Sequence, residues 1–260
     1  MKKLIAVILA FVFVLSLTAC GANEPASDIE YIADNGKIVV GITDFAPMDC
    51  EDENGEWIGF DADMAKKFAE YLGVEVEFIV IDWDNKIFEL ENKSIDVVWN
   101  GMTLTDKVKN AMGCSDPYCK NAQVVVVKSD VAAQYQDEAS LADLAFAVEA
   151  GSAGKEIVES LGLDFTEVAY QSDALMEVAA GTSDACVIDL LMAGAMIGEG
   201  TGYPDLTYTV SLTSEDYVVG FRKGSDLVAK FNEFWAEVCA DGTVLEIAKL
   251  YGVQESVIIK

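Results

Sequence analysis

Short polar phrases stand at the ends of several β-branched runs, where a chain leaving a strand can meet a ligand. Asp44-Phe45-Ala46-Pro47-Met48 follows one run, and Gly59-Phe60-Asp61-Ala62-Asp63 opens an amphipathic segment. Asn100-Gly101-Met102-Thr103-Leu104-Thr105 follows another run, with Ser115-Asp116-Pro117-Tyr118 shortly after it. Further on, Glu149-Ala150-Gly151-Ser152 leads into a helical segment and Asp189 ends a strand-like run. Carboxylates, hydroxyls and glycine backbone in these places suit hydrogen-bonded capture of a small polar solute, because ligands of open α/β sheets sit beyond the carboxyl ends of the strands. Histidine is absent altogether, which removes the commonest general base and the commonest metal ligand.

Other patterns carry less. Asp52-Glu53-Asn54-Gly55 superficially fits a calcium loop, but aligning Gly55 with that loop's glycine puts Cys50 where an oxygen ligand is needed, so a β-turn is expected. Gly198-Glu199-Gly200-Thr201-Gly202 follows a helical segment, so it cannot set a phosphate on a helix N-terminus and reads as a loop. Neither a Walker-type phosphate loop nor a Gly-x-Ser-x-Gly elbow occurs. Apart from Cys20, the cysteines are Cys50, Cys114, Cys119, Cys186 and Cys239; an odd number cannot all pair, and no Cys-x-x-Cys spacing suggests zinc. Mostly buried or unoxidised thiols are expected, with no metal and no cofactor.

The elements that must position the polar phrases alternate between strand-like and helix-like segments, which predicts an α/β fold. Strands are expected over 37–43, 74–81, 95–99 and 123–128, with helices over 61–72 and 86–91. A second cycle places strands over 145–149, 165–169 and 185–188 between helices over 152–161, 172–180 and 189–198. A late strand over 217–222 and helices over 225–239 and 243–251 belong to neither cycle. Two lobes crossed twice by the chain account for this order.

The start of the chain gives an address. Lys2 and Lys3 precede an apolar run over 4–17, shorter than the ~20 residues a spanning helix needs. The run ends in Leu17-Thr18-Ala19-Cys20, which resembles a lipobox, the site where bacterial lipoproteins are cleaved and lipidated on cysteine. Residues 21–27, small and polar, look like a tether. With 17 basic residues against 45 acidic ones, the net charge of −28 repels nucleic acid and anionic lipid headgroups.

Taken in order, the polar phrases resemble bacterial solute-binding protein family 3, the polar amino-acid receptors of ABC importers, over about residues 37–251. The resemblance implies a periplasmic-binding-protein-like type II fold, two α/β lobes joined by two crossover segments near 119–123 and 214–217. It divides the chain into a signal peptide (1–19), a lipidated Cys20 with tether (20–36), a discontinuous first lobe (37–120 plus 217–260) and a second lobe (121–216). It implies an extracytoplasmic lipoprotein, palmitate-bearing and membrane-anchored through Cys20. Such a protein is monomeric and not an enzyme, and it passes a small amino-acid-like solute to a membrane permease.

The implied pocket follows residue by residue. Phe45 and Trp83 match apolar contacts to the ligand side chain, unless both are plain core. Asn100 and Gly101 flank the site, with the Gly101 carbonyl accepting from a ligand ammonium, and Thr103 offers its hydroxyl and amide. Gly151 and Ser152 begin a helix whose N-terminus favours a carboxylate, and an ordinary N-cap is the plainer role for Ser152. Asp189 matches the ammonium-pairing carboxylate. The family phrase Thr-x-Thr-x-x-Arg supplies a bidentate carboxylate clamp, but here Val108 occupies the arginine position. Lys107 or Lys109 substitutes only by a register shift, and Arg222, the one arginine, reads as a lobe-surface residue. Glu149 and Asp189 then make an acidic pocket with no matching cation. A cationic amine is therefore the alternative ligand class, and a ligand-sensing lipoprotein or an enzyme on the same fold are the alternative functions.

Overall fold

The computed structural model describes residues 27–259. The apolar leader, Cys20 and residues 21–26 of the expected tether lie outside these residues.

Helix α1 (Asp28–Asn35) is followed by strand β1 (Lys37–Ile42) and a short hairpin of β2 (Cys50–Glu51) and β3 (Trp57–Ile58). Helix α2 (Phe60–Leu72) buries Met64, Ala65, Phe68 and Ala69 at helical spacing and stops at Gly73, whose φ of 73° lets its N–H cap the last carbonyls. Then come β4 (Glu75–Val80), α3 (Lys86–Glu91), β5 (Val97–Val98), α4 (Asp106–Ala111) and β6 (Gly113–Cys114). After β7 (Cys119–Asn121) a second lobe is built from β8 (Gln123–Lys128), β9 (Ala145–Glu149), α5 (Ala153–Ser160), β10 (Asp164–Val168), α6 (Gln171–Ala180), β11 (Ala185–Asp189), α7 (Leu190–Met196) and β12 (Leu206–Ser211). Strand β13 (Glu215–Tyr217) leads to β14 (Gly220–Phe221), α8 (Leu227–Ala240) and α9 (Thr243–Leu250).

The first sheet runs β4-β1-β5-β14-β6 and the second β10-β9-β11-β8-β12. Within each, the strands that carry polar phrases at their ends are parallel: β1 with β4 and β5, and β9 with β10 and β11. Their carboxyl ends therefore open on one edge of each sheet. The unbroken valine run of β8 is buried throughout, flanked by antiparallel β11 and β12. Strands β7 and β13 carry the chain between the lobes and pair antiparallel, Cys119 opposite Tyr217 and Asn121 opposite Glu215.

An aromatic cluster closes the first lobe, with Phe68, Trp99, Phe231 and Phe234 at ring separations of 5.0 to 6.4 Å. Burying each such side chain contributes on the order of 1.5–3 kcal/mol, so the C-terminal helices are part of this core.

Several features differ from the sequence reading. Residues 28–35, read as tether, form α1 with Ile32 buried. The run over 217–222 is not one strand, because Tyr217 pairs with Cys119 while Gly220 pairs with Val98 and Cys114. Strand β12 adds an edge where none was expected. Arg222 is not a surface residue: its guanidinium pairs with Asp28 at 2.9 Å and Asp96 at 3.0 Å, tying α1 to the sheet. No disulfide joins the five cysteines among the described residues.

Candidate functional site

The carboxyl ends of the two sets of parallel strands face each other across a cleft. It encloses about 460 Å³ free of protein atoms, counting its open mouth. All ten residues singled out from the sequence line it: Phe45, Trp83, Asn100, Gly101, Thr103 and Val108 from the first lobe, Glu149, Gly151, Ser152 and Asp189 from the second.

The floor on the first lobe is rigidly built. Asn100 donates to the Thr43 carbonyl at 2.9 Å and to Asp49 at 2.7 Å, while its own amide oxygen accepts from the Thr43 hydroxyl at 2.7 Å. Gly101 has φ of 55°, and a Cβ there would meet Phe45 at 2.5 Å and Tyr217 at 3.1 Å, so only glycine fits. Its N–H donates to Asp61 at 2.7 Å, which also accepts from the Tyr118 hydroxyl at 2.6 Å. Asp49 and Asp61 are both fully buried, and burial raises both carboxyls above the ordinary range, with repulsion from Asp61 adding to the rise at Asp49. The Thr103 hydroxyl donates to Glu215 at 2.8 Å.

Val108 packs in one apolar cluster with Trp83 and Met102. Lys107, beside it, reaches Asp84 at 3.8 Å with both side chains about half exposed, and Lys109 does not line the cleft.

On the second lobe, Ser152 caps α5 by accepting from the Lys155 N–H at 3.0 Å. Asp189 is surrounded by neutral donors: Tyr217 at 2.6 Å, Gln123 at 3.0 Å, and the Asn121 and Gln171 amides. Its own N–H donates to Gln171 at 2.8 Å. Burial, with Glu215 nearby, pushes Asp189 up to about 7 against those hydrogen bonds. Burial and Asp189 push Glu149 up to about 8, opposed by Lys86.

Lys86 corrects the expectation of a pocket without a cation. It lines the cleft at 3% exposure, with its ammonium 4.6 Å above the Trp83 ring. It donates to the Trp83 carbonyl at 3.0 Å and, across the lobes, to the Gly151 carbonyl at 2.8 Å. Burial, then Lys107, hold it down at about 8. Gln171, Asn121, Gln123, Glu215, Tyr217 and the Asp49–Asp61 pair also escaped the sequence reading. For Lys86 the available signal was its place four residues before Leu90, on the buried stripe of a short helix.

Two α/β lobes closing over a polar cleft between strand ends define a clamshell receptor for a small solute. Residues 38–254 match the bacterial extracellular solute-binding proteins, family 3, and the chain belongs to that family. It is 28% identical to the arginine-binding extracellular protein ArtP of Bacillus subtilis (strain 168), over 96% of this chain and 97% of that one. It is 27% identical to the lysine/arginine/ornithine-binding periplasmic protein of Escherichia coli (strain K12), over 89% and 92%. Among solved structures, an ArgBP mutant from T. maritima superposes with TM-score 0.80 at 32% identity, over 86% of this chain and 99% of that one. A substrate-binding protein of an ABC uptake transporter from Streptococcus pneumoniae, with bound histidine, gives 0.80 at 29% identity, over 87% and 96%. The fold is thus the type II periplasmic-binding-protein fold. The chain is an extracellular solute-binding protein.

Proposed function

We propose that the mature chain is a monomeric lipoprotein, anchored through a lipid on Cys20 at the outer face of the cell membrane. It captures an amino-acid-like solute between lobes formed by 37–120 with 217–260 and by 121–216, and delivers it to a membrane permease. The observation that carries this reading is the meeting of all ten sequence-selected residues around one interlobe cleft. Glu149 and Asp189 at the ends of β9 and β11, whose protons burial retains in the empty cleft, become the anionic pole when a ligand ammonium draws those protons off, with the Gly101 carbonyl and Thr103 on the facing lobe. Phe45 and Trp83 cover the ligand's apolar part. Relatives named for arginine and for lysine, arginine and ornithine support an amino-acid ligand.

A ligand closes the lobes only through interactions that the closed form offers and the open form lacks. Micromolar binding, ~8 kcal/mol, is ample for that. A cationic amine without a carboxylate is the second reading, favoured by Val108 at the clamp position.

The test is a thermal-shift and calorimetric screen of the chain from residue 21 onward, against the standard amino acids and simple amines. Stabilisation by an amino acid supports the proposal, stabilisation by amines alone favours the second reading, and no response from either class sinks both. For the anchor, Cys20→Ala should move the protein from the membrane fraction into the medium; retention on the membrane would refute lipid anchoring at Cys20.

A further inference from the structure

Resting on the receptor reading above and specifying its ligand, we infer that Lys86 is the anion-docking residue of the cleft. The captured solute carries one carboxylate, paired with the Lys86 ammonium in the closed form.

Lys86 is the only cation in the buried set among the described residues, and it faces the cleft. Buried ammonium groups are stable when an anion pairs with them, yet no described carboxylate lies within ion-pair distance of Lys86. Its direct partners are two neutral carbonyls, of Trp83 and Gly151, and a ring face, while Glu149, Asp84 and Glu156 act on it only from beyond ion-pair distance. An ammonium has three donors, so one remains for a ligand oxygen.

The position also fits. The ammonium lies over Trp83, which shares an apolar cluster with Val108, and both Lys86 and Val108 line the cleft. It touches the carbonyl of Gly151, two residues before α5 begins, where the helix dipole favours negative charge.

Charge balance selects the anion. Glu149, Asp189 and Glu156 also line the cleft, and Lys107 at its mouth is half exposed and turned to Asp84. Because burial holds protons on Glu149 and Asp189, the one buried ammonium is left to balance a single negative charge and not a phosphate dianion. A zwitterion fits both poles, its carboxylate on Lys86 and its ammonium toward Glu149 and Asp189. Although burial lowers Lys86 to about 8, it is mostly charged at neutral pH.

The decisive comparison pits L-arginine against agmatine, and L-histidine against histamine, on wild type, Lys86→Met and Lys86→Arg by calorimetry. Wild type should favour the amino acid over its decarboxylated amine by about tenfold or more, the scale of one charge-assisted hydrogen bond. Lys86→Met should erase that preference by weakening the amino acid alone, and Lys86→Arg should restore most of it. An unchanged preference in Lys86→Met overturns the inference. So does equal loss of both ligands, which would mean that Lys86 acts only through its bond to Gly151. Titrating the wild type with acetate while observing ¹⁵N-labelled lysine ammonium signals decides the matter even where none of these four probes binds. A saturable shift at Lys86 sustains anion docking while the amino-acid reading itself fails; no shift overturns the docking.

Discussion

Asn121 and Glu215 stand opposite each other in the two crossing strands, and the Asn121 amide donates to Glu215 at 2.7 Å. The same carboxylate oxygen accepts from Gln123 at 2.8 Å and from Thr103 at 2.8 Å. One side chain thus gathers both crossings and the first-lobe wall of the cleft.

Replacing Glu215 by leucine should therefore strand several polar groups at the hinge. The expected loss is about 2–4 kcal/mol in urea denaturation, since each orphaned donor costs ~1–3 kcal/mol and some will find water. Glu215→Gln keeps the shape and removes the charge that helps to raise Asp189, so the Asp189 pKa should fall. An NMR titration that finds Asp189 unmoved would show that Glu215 does not act on it.

Asp189 requires a careful substitution. Alanine would take an acceptor from each of Tyr217, Gln123, Gln171 and Asn121, confounding binding with folding. Asp189→Asn retains an acceptor oxygen while removing the charge. Affinity for an ammonium-bearing ligand should drop at least about tenfold, the value of one charge-assisted bond, with a smaller loss of melting temperature than alanine would cause. Unchanged affinity in calorimetry removes Asp189 from ammonium recognition.

Gly151 separates closure from lobe stability. Its φ is 71°, and a Cβ would sit 2.6 Å from the Cα of Asp84 on the facing lobe. Gly151→Ala should cost on the order of 1 kcal/mol in stability for the left-handed backbone, yet weaken ligand binding more than about tenfold by wedging the lobes apart. Small-angle scattering should show no ligand-induced compaction. Normal compaction with normal affinity would contradict the contact.

Stability should decline from mildly acidic to mildly alkaline pH. Asp189 and Glu149 keep their protons to about 7 and about 8 in the folded chain, against ~4 when unfolded. Between those values the native state binds more protons, so unfolding becomes easier as pH rises. Lys86, lowered from 10.5 to about 8, acts oppositely but only above that point. Melting should fall by roughly 5 °C or more from pH 5.5 to 8 by scanning calorimetry. Glu149→Gln should flatten the slope, which distinguishes burial from the general repulsion of a −28 chain. A melting point that climbs over this range would refute the buried-acid account.

The strand-end phrases were legible because each joins a local composition change to a local role. Gly101 needs a positive φ and a close approach, and Ser152 caps the helix that follows it. What escaped depends on distant partners. Nothing local divides Tyr217-Val218-Val219-Gly220-Phe221 into a crossing strand and a sheet strand; the division comes from Cys119 on one side and Val98 and Cys114 on the other. Lys86 reads as a solvated lysine until Gly151, 65 positions later, is folded over it. Residues 28–35 read as tether because their one buried apolar side chain, Ile32, finds its cover only on the folded lobe, and their fastening is Arg222 and Asp226 from the far end of the chain.

That fastening decides which half of the receptor is free to swing. With α1 bound to Arg222 and Asp226, the proposed lipid on Cys20 would leash the first lobe and leave the second untethered. At ~3.5 Å per residue, the stretch over 21–27 reaches about 25 Å at most. Under that proposal the first lobe would serve as the stator near the membrane surface, and the lobe carrying Gly151 and Asp189 as the rotor.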